Sequence, residues 1–254
     1  MKEYTNNSPW AKVIKAYRLG TAKLSLLDEL ERKMHKLRGR VKDKKRLEKL
    51  YKDMIAEIDL AEDIWELRNI KKKYFGEMDS MEIENAEPLK VGIIGELFVV
   101  MEPFSNMNLE RELGWMGCEI RRTRTTFFSE WTNMGSYLNI LDREKERLKK
   151  YAEPYLKYDV GGHGLESVGE KVRLSKSFDG LVHLAPFTCM PEAIAQNIMM
   201  RTKEKIPVLT IYCDEQLAKS SLITRLEAFV DLIKRRRDVS RNTSQGYKNR
   251  GEQG

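Results

Sequence analysis

The sequence predicts an α/β fold: a Rossmann-like parallel sheet with helices on both faces, preceded by an α-helical hairpin. Two observations favour this class. Short apolar runs of the kind that form buried strands occur near Val91, Cys118, Asp179 and Pro207. Helical patterns separate these runs, and this alternation is typical of a parallel, doubly wound sheet. A chain of 254 residues is long enough for such a domain with an appendage.

Residues 1–80 are predicted to form the helical hairpin or connector. Trp10, Val13, Ile14 and Tyr17 follow the i, i+3, i+4, i+7 spacing of one helix face, and Leu24 and Leu27 continue it. A second apolar pattern runs through residues 47–65. Gly39 and the lysines at 42–45 mark the break between the two helices. A polar linker is expected over residues 76–88.

Residues 81–237 are predicted to form the Rossmann-like domain. Its first strand is expected over residues 91–100, running into a loop. The elements that follow are a helix at 106–116, a strand at 118–122, a helix at 130–155, a glycine loop at 161–164, a helix at 165–176, a strand at 179–184, a helix at 190–202, a strand at 207–212 and a helix at 217–237. The basic tail, residues 238–254, is rich in Ser, Asn, Gln, Gly and Arg and is predicted to be disordered.

The charge distribution argues against a nucleic-acid partner despite a net charge of +7. Residues 1–80 hold 20 Lys and Arg against 14 Asp and Glu, whereas residues 81–233 hold 19 against 23. The predicted sheet domain is therefore slightly acidic, and no nucleic-acid recognition motif accompanies the basic ends.

No 18-residue apolar run or signal-peptide core is present, so no membrane segment and a cytoplasmic location are expected. Three cysteines are too few for a disulfide framework.

Polar residues follow each predicted strand or fill the glycine loop. Because the carboxyl ends of parallel strands share one edge of the sheet, these residues are expected to converge there on one ligand pocket. They are Glu96, Glu102 and Asn106 after the first strand, His163 and Glu166 at the glycine loop, Cys189 and Glu192 after the third strand, and Cys213, Asp214, Glu215 and Gln216 after the fourth.

Cys189 lies where a buried strand passes into a helix. A thiol beside a helix N-terminus is favoured as the thiolate, which is the form that binds metal or attacks an electrophile. The alternative is a small buried apolar residue. Cys118 opens a strand at the other edge and is predicted to serve packing. Cys213 is ambiguous, and a structural role is favoured for it.

The candidate catalytic residues also have two interpretations each. The loop around His163 could bring backbone N–H groups to an anion, or it could be a turn that needs glycine. Asp214 and Glu215 could bind a cation, act as acid or base, or cap the next helix. Glu96 and Glu192 are the remaining candidates, whereas His183, inside a strand, is predicted to be a hydrogen-bonded core histidine.

Six motifs occur in a fixed order along the chain. They are Val91-Gly-Ile-Ile-Gly-Glu96, Glu102-Pro-Phe-Ser-Asn106, Gly161-Gly-His-Gly164, Pro186-Phe-Thr-Cys-Met-Pro-Glu192, Asp214-Glu-Gln216 and Thr224-Arg-Leu-Glu-Ala-Phe229. Together they resemble the 2-hydroxyacyl-CoA dehydratase-related proteins, often labelled CoA-substrate-specific enzyme activase or benzoyl-CoA reductase/dehydratase-like. The resemblance spans about residues 10–237.

This resemblance implies two similar Rossmann-like domains with an iron–sulfur cluster between them, of the 4Fe–4S type. It implies a component of a dehydratase-type lyase or a related ATP-dependent reductase, acting in low-potential electron transfer or dehydration of a CoA thioester. An ATP-dependent activator protein would supply the electrons. Cys189 matches the family's Pro-Phe-x-Cys-x-Pro-Glu cysteine, so the resemblance carries the role of cluster ligand to Cys189.

The chain departs from the family in two places. In full-length relatives the other ligating cysteines lie in a domain before the helical segment, whereas this chain starts within that segment. Leu217-Ala-Lys-Ser-Ser221 replaces a glycine-containing sequence. The expectation is a C-terminal part or subunit that needs a cysteine-bearing N-terminal domain or partner subunit, as a homo- or hetero-oligomer. A cluster-free interaction or scaffold protein, and an enzyme using the strand-end carboxylates without metal, are the alternatives.

Overall fold

The computed structural model describes residues 9–122 and 143–251. These residues divide into a helical unit, residues 9–86, and an α/β unit made of residues 87–122 and 143–251. Among the described helices, none has the length and apolar character needed to cross a membrane.

The helical unit contains three helices: α1 (Pro9–Leu37), α2 (Lys44–Leu60) and α3 (Ile64–Asp79). Asp43 and Asp63 cap α2 and α3, because their carboxylates accept hydrogen bonds from the N–H groups of the first turns. The predicted N-terminal helical region is confirmed, but it holds three helices where two were predicted, because the second apolar pattern spans two helices. No glycine or proline marks the break at residues 61–63, so the acidic cap is the only local sign of it.

The first turns of α1 lie outside the core of the helical unit. That core includes Leu30, Met34 and Leu47, and no α1 residue before Leu19 packs against it. Trp10 is instead 75% exposed. At 100° per residue it lies roughly 200° around the helix from Leu30. The apolar spacing at the start of α1 therefore marks a helix face, but that face is exposed.

The predicted linker begins later than expected. Helix α3 continues to Asp79, and Ile83 forms an antiparallel bridge with Val41. The backbone N–H of Glu84 donates to the carbonyl oxygen of Arg40 at 2.7 Å. The first part of the predicted linker is therefore held to the helical unit by main-chain hydrogen bonds.

The α/β unit alternates strands and helices. In chain order its elements are β1 (Leu89–Gly95), α4 (Leu97–Met101), α5 (Leu109–Trp115), β2 (Cys118–Arg122), α6 (Arg143–Ala152), α7 (Gly164–Leu174), β3 (Gly180–Pro186), α8 (Met190–Arg201), β4 (Val208–Cys213) and α9 (Lys219–Gly251). The four described strands form a parallel sheet in the order β2-β1-β3-β4. The predicted parallel α/β architecture is confirmed.

Successive residues along each strand point to opposite faces of the sheet, and each face packs into its own apolar core. Ile93 and Val182 pack with α4, α5 and α9. Their neighbours Ile94 and Leu181 pack with α7 and α8 on the opposite face. The period of two along the strands explains why the runs are apolar throughout, since both faces are covered by helices.

The first strand ends earlier than predicted. Gly95 has φ +130°, and a Cβ there would lie 2.0 Å from the carbonyl oxygen of Leu184. The glycine thus permits the close approach of β1 to β3 and turns the chain out of the sheet. Glu96 then caps α4, so the apolar residues 97–101, predicted as strand, are helical.

The last helix differs from the prediction as well. Its backbone is helical to Gly251, where a disordered tail was expected from residue 238. No proline interrupts these residues, so the helix formed by the residues before them can continue, although most of the residues from 238 to 251 are weak helix formers. Of the helix predicted at 130–155, residues 130–142 lie outside the described residues, and the described part is α6.

Candidate functional site

The carboxyl edge of the sheet forms the candidate site. Connections from β1 and β3 leave the sheet in opposite directions, because β2 lies on one side of β1 and β4 on the far side of β3. Such a reversal opens a crevice at the strand ends, where ligands bind in open α/β sheets. Gly95 and Leu184 face each other at this point in the register.

Cys189 lies at the end of β3 as the N-cap residue of α8. Its backbone N–H donates to the Pro186 carbonyl at 3.1 Å, and its own carbonyl accepts from the N–H of Ala193 at 3.0 Å. The thiol makes no capping hydrogen bond and is partly exposed. The turn thus fixes the backbone of Cys189, while the residue remains partly exposed.

Cys213, at the end of β4, is in a different state. It is buried, and burial raises the pKa of its thiol from 9.0 to about 11, with the Asp214 and Glu96 carboxylates adding to the effect. Cys213 therefore stays protonated near neutral pH. The fully buried Cys118 opens β2 at the amino edge, in agreement with its predicted packing role.

Glu96 and His163 are brought together. One Glu96 oxygen accepts from the N–H of Val99 at 3.1 Å, which caps α4. The other lies 3.9 Å from Nδ1 of His163. That nitrogen accepts the N–H of Leu97 at 3.3 Å, so the proton of the neutral ring is assigned to Nε2. Glu96 thus has the capping role expected of a carboxylate at a helix start.

The glycine loop holds His163 against the start of α8. Gly161 and Gly162 have positive φ angles of 81° and 52°, which glycine adopts without strain. A Cβ on Gly164 would lie 2.4 Å from the carbonyl oxygen of Pro191. The loop therefore fits directly onto the first turn of the helix that Cys189 caps.

Glu192 lies inside the domain and not at the open edge. It is fully buried, and its carboxylate accepts from Oγ of Ser167 at 3.2 Å and lies 2.8 Å from Nε2 of His183. The other ring nitrogen of His183 is 3.3 Å from Oγ1 of Thr210. We call these four side chains the buried polar network. It confirms His183 as a core histidine, and it removes Glu192 from contact with solvent.

The remaining strand-end residues differ in their burial and in their hydrogen bonds. Asp214 and Glu215 are exposed, and an Asp214 oxygen accepts the N–H of Gln216 at 3.0 Å in a local turn. Asn106 is buried and bonds the carbonyls of Val99 and Val100. The structure thus places Glu96 beside His163, and the carboxylates of both Glu96 and Asp214 act on the thiol of Cys213.

A cavity that the sequence did not indicate lies beside the edge strand β4. It measures about 410 Å³ and is lined by residues that include Lys171, Met200, Glu204 and Arg236. Lys171 is buried, donates to Oγ1 of Thr202 and to the carbonyl oxygen of Glu204, and has a pKa lowered by burial. These bonds cap the end of α8. A lysine in an amphipathic helix gives no sequence signal for such a role.

Comparison of this chain with protein-family models, with curated proteins and with solved structures found no match.

Proposed function

We propose that this chain is the C-terminal part or a subunit of a 2-hydroxyacyl-CoA dehydratase-related iron–sulfur protein, to which Cys189 contributes one cluster thiolate. The observation that carries the proposal is the difference in access between the two edge cysteines. Cys189 is partly exposed at a helix N-terminus, whereas Cys213 is buried and this burial raises the pKa of its thiol. Accessible thiols at the start of a helix are the ones that react or bind metal.

The described residues do not hold a complete cluster. A 4Fe–4S cluster is held by four cysteine thiolates, whereas no three His, Cys, Asp or Glu side chains within residues 9–122 and 143–251 are grouped as metal ligands. The available donors fit one ligand position. We therefore assign the other thiolates to a cysteine-bearing N-terminal domain or partner subunit, and we derive no reaction step through the cluster.

The neighbouring residues would support that single ligand in defined ways. The glycine loop and the buried polar network hold the first turn of α8, and with it the backbone of Cys189. Nε2 of His163 is the ring nitrogen assigned the proton, so it can donate a hydrogen bond. Electron supply by an ATP-dependent activator and a cytoplasmic location belong to the same proposal. Free thiols are typical of a reducing compartment.

The test is anaerobic reconstitution of the full chain with ferrous iron and sulfide, with glutathione supplying the missing thiolates. We expect bound iron, bound sulfide and iron–sulfur absorption in the wild-type protein with glutathione, and little without it. Cys189→Ser should lose this iron, because serine is a poor substitute ligand, whereas Cys118→Ser should keep it. Equal iron in wild type and Cys189→Ser contradicts the proposal, provided that circular dichroism shows both are folded.

A second candidate is an interaction protein without a cluster. It is favoured by the exposed apolar side chains at the start of α1, which are typical of a protein-binding surface. Under this alternative Cys189→Ser has no effect on iron content in any reconstitution, and binding through α1 is unchanged by the substitution.

A further inference from the structure

The cavity beside β4 lies at the opposite end of α8 from Cys189. Its volume of about 410 Å³ is within the size range of small-molecule sites. Helix α8 has 12 residues, so its last turn is about 18 Å from the N-cap that Cys189 forms. Neither Cys189 nor His163 lines the cavity. It is therefore a candidate site separate from the carboxyl edge of the sheet.

Part of the cavity lining is apolar. It comes from the end of α8, from the connection that follows and from the start of β4, and its members are Met199, Met200, Ile206 and Val208. Met199 is buried in the core on this face of the sheet, and Ile206 and Val208 pack against the same core. Because the core holds these side chains, the lining offers an ordered surface against which an apolar molecule can pack.

The charged groups of the lining are mainly cations. Lys171, Lys205 and Arg236 line the cavity against a single carboxylate, that of Glu204. Lys171 is 1% exposed, donates to Thr202 and to the carbonyl oxygen of Glu204, and lies 4.0 Å from the carboxylate of Glu204. Lys171 and Glu204 therefore balance each other. Lys205 and Arg236 are exposed and form no ion pair with a carboxylate of the described residues.

The surroundings of Lys171 indicate that the cations converge. Burial is the main cause of its lowered pKa, the charge of Glu204 acts in the opposite direction, and the positive charge of Lys205 lowers the pKa further. Two ammonium groups thus repel each other at the cavity. Arg236 is held beside them, since its guanidinium donates to the carbonyl oxygen of Lys205 at 2.8 Å. An anion bound in the cavity relieves this repulsion.

We propose that this cavity binds a small organic anion, with its charged head beside Lys205 and Arg236 and its body against the apolar lining. An inorganic anion leaves the apolar lining unused, and a neutral apolar molecule leaves the two cations without a partner. A carboxylate and a phosphate monoester share the required chemistry. The proposal is independent of the cluster proposal, because binding requires neither Cys189 nor a partner chain.

The test is titration of the full chain with hexanoate and with hexyl phosphate, followed by ligand-observed NMR. We expect at least one of them to bind with a Kd of about 1 mM or below, as suits a ligand of this size. The tighter of the two identifies the head group. Hexanol lacks the charge and acetate lacks the apolar body, so each should bind at least about tenfold more weakly than the tighter probe.

A pair of lysine variants places the binding in this cavity. Lys205→Gln should raise the Kd of the tighter probe about tenfold, because the charge is lost while a polar side chain remains. Lys203→Gln, at an exposed lysine that does not line the cavity, is the matched control and should leave Kd unchanged. Both lysines are exposed, so circular dichroism should show folded variants.

Three results would each overturn the proposal. The first is the absence of saturable binding of both anionic probes up to about 10 mM. The second is hexanol binding as tightly as the anions. The third is an equal Kd in Lys205→Gln and Lys203→Gln. None of these results bears on iron reconstitution, so the two proposals fail separately.

Discussion

Two cysteines end neighbouring strands of the same sheet, and their surroundings make them chemically different. Cys189, three residues after β3, is partly exposed, whereas Cys213, the last residue of β4, is buried beside two carboxylates that raise its pKa further. In sequence the two positions look alike, since each thiol is followed closely by an acidic residue. The comparison teaches that a strand-end position makes a thiol a candidate ligand, whereas burial and neighbouring charge decide whether it is available.

The two strand ends also differ in how they are supported. The turn after β3 packs against the glycine loop, and the buried polar network holds the first turn of α8 beside it. Strand β4 contacts the same network through Thr210, and it also receives a guanidinium of α9, since Arg225 donates to the carbonyl oxygen of Thr210 at 2.6 Å. The glycine loop contacts only the turn that carries Cys189, and hydrogen-bonded support around a ligand residue is what orients metal ligands in proteins.

The largest effect is expected from removing the support under Cys189. Glu192→Ala leaves Ser167 and His183 buried without their partner, so the free energy of unfolding of the α/β unit should fall by about 3 kcal/mol. Urea denaturation followed by circular dichroism measures it. Glu192→Gln should lower the free energy of unfolding by less than Glu192→Ala does, because the amide oxygen still accepts hydrogen bonds. Glu215→Ala, at an exposed carboxylate, is the matched control, and equal losses in the two variants would contradict the assignment.

The next effect concerns pH and Cys213. Because the folded pKa of about 11 lies above the ordinary value of 9.0, the unfolded chain loses this proton first as pH rises. The contribution of the protonated thiol to stability is complete below about pH 9 and decreases up to about pH 11. Urea midpoints of wild type should therefore decline more steeply over this range than those of Cys213→Ala. Parallel pH profiles would show that the thiol is not perturbed.

More of the fold than of the candidate site could be predicted from the sequence. The apolar runs at β1 to β4 identified the parallel sheet, because strands covered on both faces are apolar throughout and readily recognised. The break at Asp63 and the short helix after Gly95 were missed, since a single capping carboxylate decides each. His183 was predicted correctly, whereas its partners Ser167 and Thr210 were not. Their pairing depends on three-dimensional proximity across α7, α8, β3 and β4, for which one sequence carries no signal.

A smaller effect is expected at the glycine loop. Gly164→Ala places a methyl group against the Pro191 carbonyl, so it should cost about 1–3 kcal/mol by forcing the loop away from α8. Gly76→Ala, within α3 and with open space at its Cβ, is the control and should stabilise the helical unit slightly. A tolerated alanine at position 164 would mean that the loop does not support the start of α8.

The smallest expected effect is the difference in stability between serine substitutions at the two cysteines. Cys189→Ser should cost nothing and could raise the free energy of unfolding by up to about 1 kcal/mol, because Cys189 makes no capping bond at the N-cap of α8 and serine is a preferred N-cap residue. Cys213→Ser buries a hydroxyl in place of the thiol and should cost about 1–2 kcal/mol. Thermal unfolding of both variants measures the difference. A larger cost at Cys189 than at Cys213 would reverse the comparison.

We propose that Cys189, and not Cys213, is the available cluster ligand. Pulsed alkylation with iodoacetamide, read at each cysteine by mass spectrometry, tests it before and after reconstitution with iron, sulfide and glutathione. We predict that Cys189 is alkylated in the untreated protein and protected after reconstitution, while Cys118 and Cys213 stay unmodified in both samples. Alkylation of Cys189 at an unchanged rate in iron-loaded protein would contradict the claim.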